Sequence, residues 1–333
     1  MTDTGIYPTM TAEALEAHTV QMGAQHSSAG VNGVLVLDKP EGMTSHSLAA
    51  RTKKLLGLKK VGHCGTLDPF ATGVMVICVN QATRIADLLS LQDKLYRFSI
   101  RFGIETDTLD KTGQVVRTYN GSPIREEELL VALGKFSGPY RQQVPRYAAV
   151  KVQGRRLYEL TRKGIEIELP VRDVAIHHLE LLGYEWPEAH IQVHCSKGTY
   201  VRQLVSDIGT MLNCGAHVNE LRRLASGPFE IAKAISLEEL QKVAVNGTWE
   251  TKLISMNEAL AHLPKLLIED ERLLRNLYNG HLDPEWEANS RGQLAQKSEP
   301  VRLLAAKDQL VALWWPACRQ TDGNKQRCLR VFK

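Results

Sequence analysis

The chain reads as an α+β protein in two unequal parts, a large unit of strands and helices followed by a small β-rich module. Three observations predict this. Strand patterns of two kinds occur: continuous apolar runs at 33–37 and 74–79, and period-two runs at 96–102 and 191–195. Helical spacing is interspersed with them, as in Val201, Leu204, Val205, Ile208 and Leu212. From Pro264 the texture changes to polar stretches around two strand-like runs, 301–306 and 309–314. The organisation expected is an N-terminal extension over 1–30, a main domain over 31–263 and a module over 264–333.

Composition narrows the function classes. At 43% hydrophobic and 23% charged residues, the 333-residue chain is ordinary for a globular protein. It has no run of 18 apolar residues and no basic-then-apolar leader, so the expectation is a cytoplasmic protein without a membrane span. Its six cysteines, at 64, 78, 195, 214, 318 and 328, form no CxxC pair. That predicts reduced thiols and no metal site. A net charge of +4 does not by itself establish nucleic-acid binding; the clustering of cations carries more weight.

In chain order, residues 1–30 are small and polar, with a helical turn near 11–18. The strand at 33–37 stops at Asp38-Lys39-Pro40-Glu41-Gly42, and Thr44 or Ser45 caps a helix that Gly57 ends. A glycine-rich loop occupies 62–73, and the run 74–79 behind it suits a strand buried on both faces. Residues 84–89 read as helical. Tyr96, Phe98, Ile100 and Phe102 then share one strand face, with Arg97, Ser99 and Arg101 on the other. A polar turn, 106–113, precedes an amphipathic helix at 124–136 whose Glu126, Glu127 and Glu128 suit its positive end. Gly154 opens a basic helix that Gly164 closes; Arg155, Arg156, Arg162 and Lys163 there read either as a phosphate track or as a solvated face. After the strand at 191–195, Thr199 is a good N-cap for the helix beginning near Val201. In the module, 273–280 is a short helix, polar residues fill 283–299, and Arg330-Val331-Phe332 reads as a last strand.

The chemistry concentrates on the loop Gly62-His63-Cys64-Gly65-Thr66-Leu67-Asp68-Pro69-Phe70-Ala71-Thr72-Gly73. Lys53, Lys54, Lys59 and Lys60 approach it with no acid between Arg51 and Lys60. Asp68 is thus a single carboxylate on a shaped loop beside a cationic segment. Taken alone, an Asp-Pro pair equally starts a turn. Arg202 falls in the first turn of its helix, where the macrodipole disfavours a cation, so a nearby anion is needed to explain it.

The whole loop string resembles the catalytic loop of the TruB-type tRNA pseudouridine synthases. Lys39 to Ser45, Lys94-Leu95-Tyr96, Ser196 to Arg202 and Gly215 to Leu224 are similar to further motifs of that family. Gln143 to Lys151 departs from its counterpart, with one residue fewer after the proline and Ala148 in place of a serine. The resemblance implies a mixed or antiparallel pseudouridine-synthase sheet with flanking helices, and a PUA-like RNA-binding fold for the module. It implies isomerisation of the T-loop uridine (tRNA position 55) to pseudouridine, without metal or cofactor. Asp68, Tyr96 and Arg202 are then the catalytic residues, with Arg202 pairing Asp68. His63, Asp110, Leu221, Tyr200 and Lys39 are the substrate-binding ones, His63 filling the stack that the flipped base leaves. The implied partner is the T arm of tRNA, bound by a monomer with no protein partner. Two other readings stay open: a catalytically silent tRNA binder, and a synthase of this fold acting on another RNA. In the module 12 Lys and Arg face 9 Asp and Glu, with five cations between Leu313 and Lys333, which predicts phosphate contacts there.

Overall fold

The computed structural model describes residues 30–152, 154–165, 167–294, 299–318 and 328–332. The extension over 1–29, with its expected helical turn, lies outside the described residues. The main domain opens with β1 (Gly33–Lys39), α1 (Ser45–Leu55), β2 (Val61–Cys64) and β3 (Thr72–Val79). There follow α2 (Ala86–Ser90), β4 (Lys94–Phe102), the hairpin β5 (Ile104–Thr106) and β6 (Val115–Thr118), α3 (Glu126–Gly134) and β7 (Gly138–Gln143). A small hairpin, β8 (Lys151–Val152) and β9 (Arg155–Arg156), leads into α4 (Leu157–Arg162). The long β10 (Val171–Glu185), β11 (Glu188–Cys195), α5 (Val201–Met211), β12 (Ala216–Ser226), β13 (Phe229–Glu230), α6 (Leu237–Val245) and α7 (Met256–Ala259) complete it. The module holds β14 (Lys265–Leu267), α8 (Glu271–Tyr278), α9 (Pro284–Leu294), β15 (Val301–Ala305), β16 (Gln309–Trp314) and β17 (Leu329–Val331).

The central sheet runs β1-β3-β12-β4-β11-β10-β7, with β2 added on β3 and β13 on β12. Its neighbours are antiparallel except β12 against β3, so the expected mixed sheet is observed. That parallel contact is short, Arg222 against Thr72 and Arg223 against Gly73. It exists because Gly73 has no side chain. A Cβ there would stand 2.2 Å from the Arg223 carbonyl oxygen, and its φ of +103° suits glycine alone. The module forms a second sheet, β14-β15-β16-β17. No helix of the described residues is long and apolar enough to cross a membrane.

Both faces of β1 and β3 are covered, which explains their unbroken apolar sequences. Leu35, Leu37, Met75, Ile77 and Val79 join the core beneath α1, α5 and α6. Val34, Val36, Val74, Val76 and Cys78 point the other way and meet Leu304, Leu310, Leu313 and Phe332 of the module. A polar joint surrounds this second core. The Arg330 guanidinium takes both Asp87 oxygens at 2.9 and 3.0 Å and donates to the Arg84 carbonyl, while Arg84 donates to Val331. Arg302 is buried, and its donors reach the carbonyls of Asn257, Ala261 and Leu263. Module and main domain therefore share packing.

Several sequence readings change in detail. Thr44, not Ser45, caps α1, accepting from the Ser47 amide at 3.0 Å. Tyr200 is the N-cap residue of α5, and Thr199 turns back to the Ser196 carbonyl instead. Gly154 to Arg156 form a hairpin, so α4 begins only at Leu157. The polar stretch after Asp283 contains α9, started by the Asp283 carboxylate accepting from two amides. Reduced thiols throughout were expected, yet Cys318 and Cys328 are bonded, their Cα atoms 5.3 Å apart. The antiparallel pairing of β16 with β17 brings them together.

Candidate active site

The loop after β2 is held by the segment after β1. The Ser45 hydroxyl accepts from the Leu67 amide at 2.8 Å and donates to the Leu67 carbonyl at 3.0 Å. The Gly42 amide and the Lys39 ammonium both donate to the Pro69 carbonyl, at 2.8 and 3.2 Å. Both neighbours of Asp68 are thus fixed. Its own carbonyl accepts from Ala71, and its side chain, about a third exposed, faces a cavity of about 330 Å³. That is the small end of the range for ligand pockets, room for a nucleobase.

Arg202 confirms the argument from its helix position. Its Nε lies 2.8 Å from Asp68 Oδ2, and Nη2 donates to Oδ1 at 3.1 Å. Nη1 donates to the Thr108 carbonyl at 2.7 Å and lies 3.5 Å from Asp110 Oδ2; Nη2 also reaches the Tyr147 carbonyl at 3.2 Å. One buried guanidinium therefore fixes the aspartate loop, the β5–β6 turn and the 147 segment at the start of α5. Gln142 locks that start from the other side, its amide exchanging two hydrogen bonds with the Tyr200 backbone at 2.7 and 2.9 Å.

Burial raises the Asp68 carboxyl above its ordinary range. Arg202 opposes this, while the Asp110 charge adds to it. Burial likewise lowers the Lys39 ammonium to about 8 against the pull of Asp68.

Tyr96 and Leu221 face the cavity from β4 and β12, together with Tyr200. The register sets Arg223 opposite Tyr96, so Leu221 and Arg223, two residues apart, share the cavity face while Arg222 turns to Asp38 on the other. Burial raises the Tyr96 phenol. His63 is half-buried on β2 with Nδ1 unpartnered, and burial lowers its pKa, so the ring is neutral at pH 7.

Two expected contacts with substrate are not available. Lys39 is wholly buried, and its Nζ donates to the carbonyls of Pro40, Met43 and Pro69; it shapes the loop instead. Asp110 is also buried, accepting from Thr108 and from the Thr112 amide and hydroxyl, with Arg202 beside it. It supports the arginine and does not reach the cavity mouth. The sequence reading missed Lys94 and Arg223, both buried and both lining the cavity. Their only signal was spacing: each stands two residues from a cavity residue on the same strand.

One oriented carboxylate opposite a phenol, with cations behind both, can attack or deprotonate a sugar and accept a proton from a base. Residues 53–201 match the TruB family pseudouridylate synthase N-terminal domain, and residues 202–274 the tRNA pseudouridylate synthase B C-terminal domain. The chain is 56% identical over 302 residues to the tRNA pseudouridine synthase B of Syntrophobacter fumaroxidans, covering 91% of this chain and 98% of that one. The chain belongs to the TruB family. It is 40% identical over 291 residues to the tRNA pseudouridine synthase B of Geobacillus thermodenitrificans, covering 85% of this chain and 94% of that one. Among solved structures, a Cbf5-Nop10-Gar1 complex contains a chain with a TM-score of 0.66 and 26% identity, covering 96% of this chain and 86% of that one. As a TruB family member the protein is an isomerase that converts uridine in tRNA to pseudouridine.

Proposed function

We propose that this isomerase acts on the T-loop uridine of tRNA, with Asp68 as the acid against the sugar or base, Arg202 as its orienting cation and Tyr96 against the flipped ring. The observation that carries this reading is the two-point contact of Arg202 with Asp68 at the wall of a base-sized cavity that Tyr96 also lines. The glycosidic N1–C1′ bond breaks, the ring turns, and a C5–C1′ bond forms. An ionised Asp68 serves this chemistry as nucleophile, as base at C2′ or as counter-charge to a cationic sugar. The target base is flipped from its stack, and the neutral His63 ring takes its place. Leu221 and Tyr200 pack against the flipped nucleotide. Residues 31–263 are the catalytic domain and 264–333 a PUA-like module. The enzyme works as a monomer in the cytoplasm on the T arm, without a protein partner.

The test is tritium release from a T-arm hairpin carrying [5-³H]uridine, with carbodiimide mapping of the product. Product is expected at the T-loop uridine alone. Equal reaction at uridines of unrelated hairpins would remove the T-loop assignment. Tight hairpin binding with no release would make the protein a binder.

A further inference from the structure

Arg223 is a buried guanidinium that meets no carboxylate among the described residues. Its neighbours in function are served differently. Arg222 takes Asp38 at 2.6 and 3.1 Å, and Arg202 has two acids. Buried charges are as a rule paired, so an unpaired one points to an anion that arises only during reaction. Arg223 Nε donates to the Val74 carbonyl at 2.7 Å, and Nη2 reaches the Gly65 carbonyl at 3.4 Å and Met75 Sδ at 3.7 Å. These contacts leave Nη1 free of backbone duty. The sheet register places Arg223 directly across from Tyr96, and both side chains line the same cavity. Gly73 makes that placement rigid, since the Arg223 backbone lies where any Cβ would be.

We propose that Arg223 is a positioning residue for Tyr96: it aims the phenol oxygen at the base and stabilises the phenolate that takes the proton from C5. This rests on the reading of Tyr96 given above. Once the C5–C1′ bond has formed, C5 carries both its hydrogen and the sugar. The C5–H proton passes to the Tyr96 oxygen, the C–H electron pair becomes the C5–C6 double bond, and the C6–N1 π pair moves onto N1. The resting phenol first gives its own proton to solvent, the C5 proton restores it, and N1 takes up one proton from solvent, so the step is a tautomerisation without net charge change. Burial raises the phenol, and the Arg223 charge opposes that rise. The pairing therefore places a fixed cation beside the oxygen that must carry negative charge before it can take the proton.

The experiment uses the full chain and a T-arm hairpin with [5-¹H]- or [5-²H]uridine, in single turnover. R223K is expected to lower the rate at least about tenfold with KM changed less than about threefold. The deuterium effect should at least double relative to the unaltered protein, because C5 deprotonation becomes limiting. Y96F should be at least as slow, and R223K with Y96F no slower than Y96F. A slowed R223K with an unchanged deuterium effect would overturn the proposal and leave Arg223 as a strut for the Gly65 carbonyl. An R223K as fast as the unaltered protein overturns it too. A fully active Y96F instead sinks the reading of Tyr96 itself, a separate failure. If R223K does not fold, 3-fluorotyrosine at position 96 of the otherwise intact chain decides. Its more acidic phenol should move the alkaline limb of the rate profile to lower pH, and an unmoved limb counts against the proposal.

Discussion

Replacing Arg202 by lysine keeps the charge and removes the fork. The guanidinium makes two contacts to Asp68, two to backbone carbonyls and one to Asp110, all between 2.7 and 3.5 Å. An ammonium is a single point and keeps at most one contact to Asp68 with one of the others. The least loss is one charge-assisted hydrogen bond to the aspartate, worth ~1.5–3 kcal/mol, together with a carbonyl bond of about 1 kcal/mol. About 2.5–4 kcal/mol of transition-state orientation corresponds to a rate loss of roughly 70- to 900-fold. Tritium release in single turnover on the hairpin reads that loss, and filter binding reads affinity separately. A thermal scan controls for folding, since the same side chain joins three segments. An R202K enzyme that folds and turns over within threefold of the unaltered protein would refute the view that Arg202 aims Asp68. In a cycle with D110N, the double variant should lose less than the product of the single losses, because both act on one guanidinium.

Asp68→Asn keeps the loop's shape and removes the charge, so product should vanish while hairpin affinity stays within a few fold; residual turnover within tenfold of normal would contradict the assignment. The raised Asp68 carboxyl gives a sign for pH: activity needs the ionised form, so it should fall at a pH above the ordinary carboxylate range, and an acid limb near pH 4 would count against this. Stability runs oppositely through this group, because a carboxyl raised by the fold favours the native state when protonated and loses that contribution as pH rises through its unfolded and then its folded value. Lys39→Met leaves the Pro40 and Met43 carbonyls without their donor and the Pro69 carbonyl with the Gly42 amide alone, so melting should fall by several degrees with the loss concentrated in turnover rather than in hairpin affinity, measured by thermal scan and filter binding. A chain ending at Leu263 exposes Val34, Val36, Val74, Val76 and Cys78. At ~1.5–3 kcal/mol for each large side chain this approaches the whole ~5–15 kcal/mol stability of a domain, so the truncated chain should aggregate; a soluble fragment with a sharp melt would show the two parts to be independent.

What could be read from sequence was whatever depends on spacing along one element. The alternation of Tyr96, Phe98, Ile100 and Phe102 gave β4, and the awkward cation in the first turn of α5 gave the Arg202 contact with Asp68. What could not be read depends on how separate elements meet. Asp110 looks solvated in a polar turn, yet the turn packs on β12 through Val218 and buries it. Lys39 looks exposed beside a proline, yet three carbonyls converge on its ammonium. The five cations after Leu313 suggested a phosphate surface. Of these Arg330 is taken up by Asp87, and the other four lie outside the described residues.

The double covering of β1 and β3 has a consequence for the order of assembly. Val34 and Phe332 lie in one core yet are separated by nearly the whole chain, a contact of very high sequence separation, whose loop must close before burial rewards it. A nascent chain therefore carries one greasy face of its first strands uncovered until β16 and β17 have been made. The backing of the aspartate loop is the last part of the sheet to become dry. Until then the loop rests on a half-finished wall, and an incomplete chain presents exposed strands to its neighbours in place of a working site.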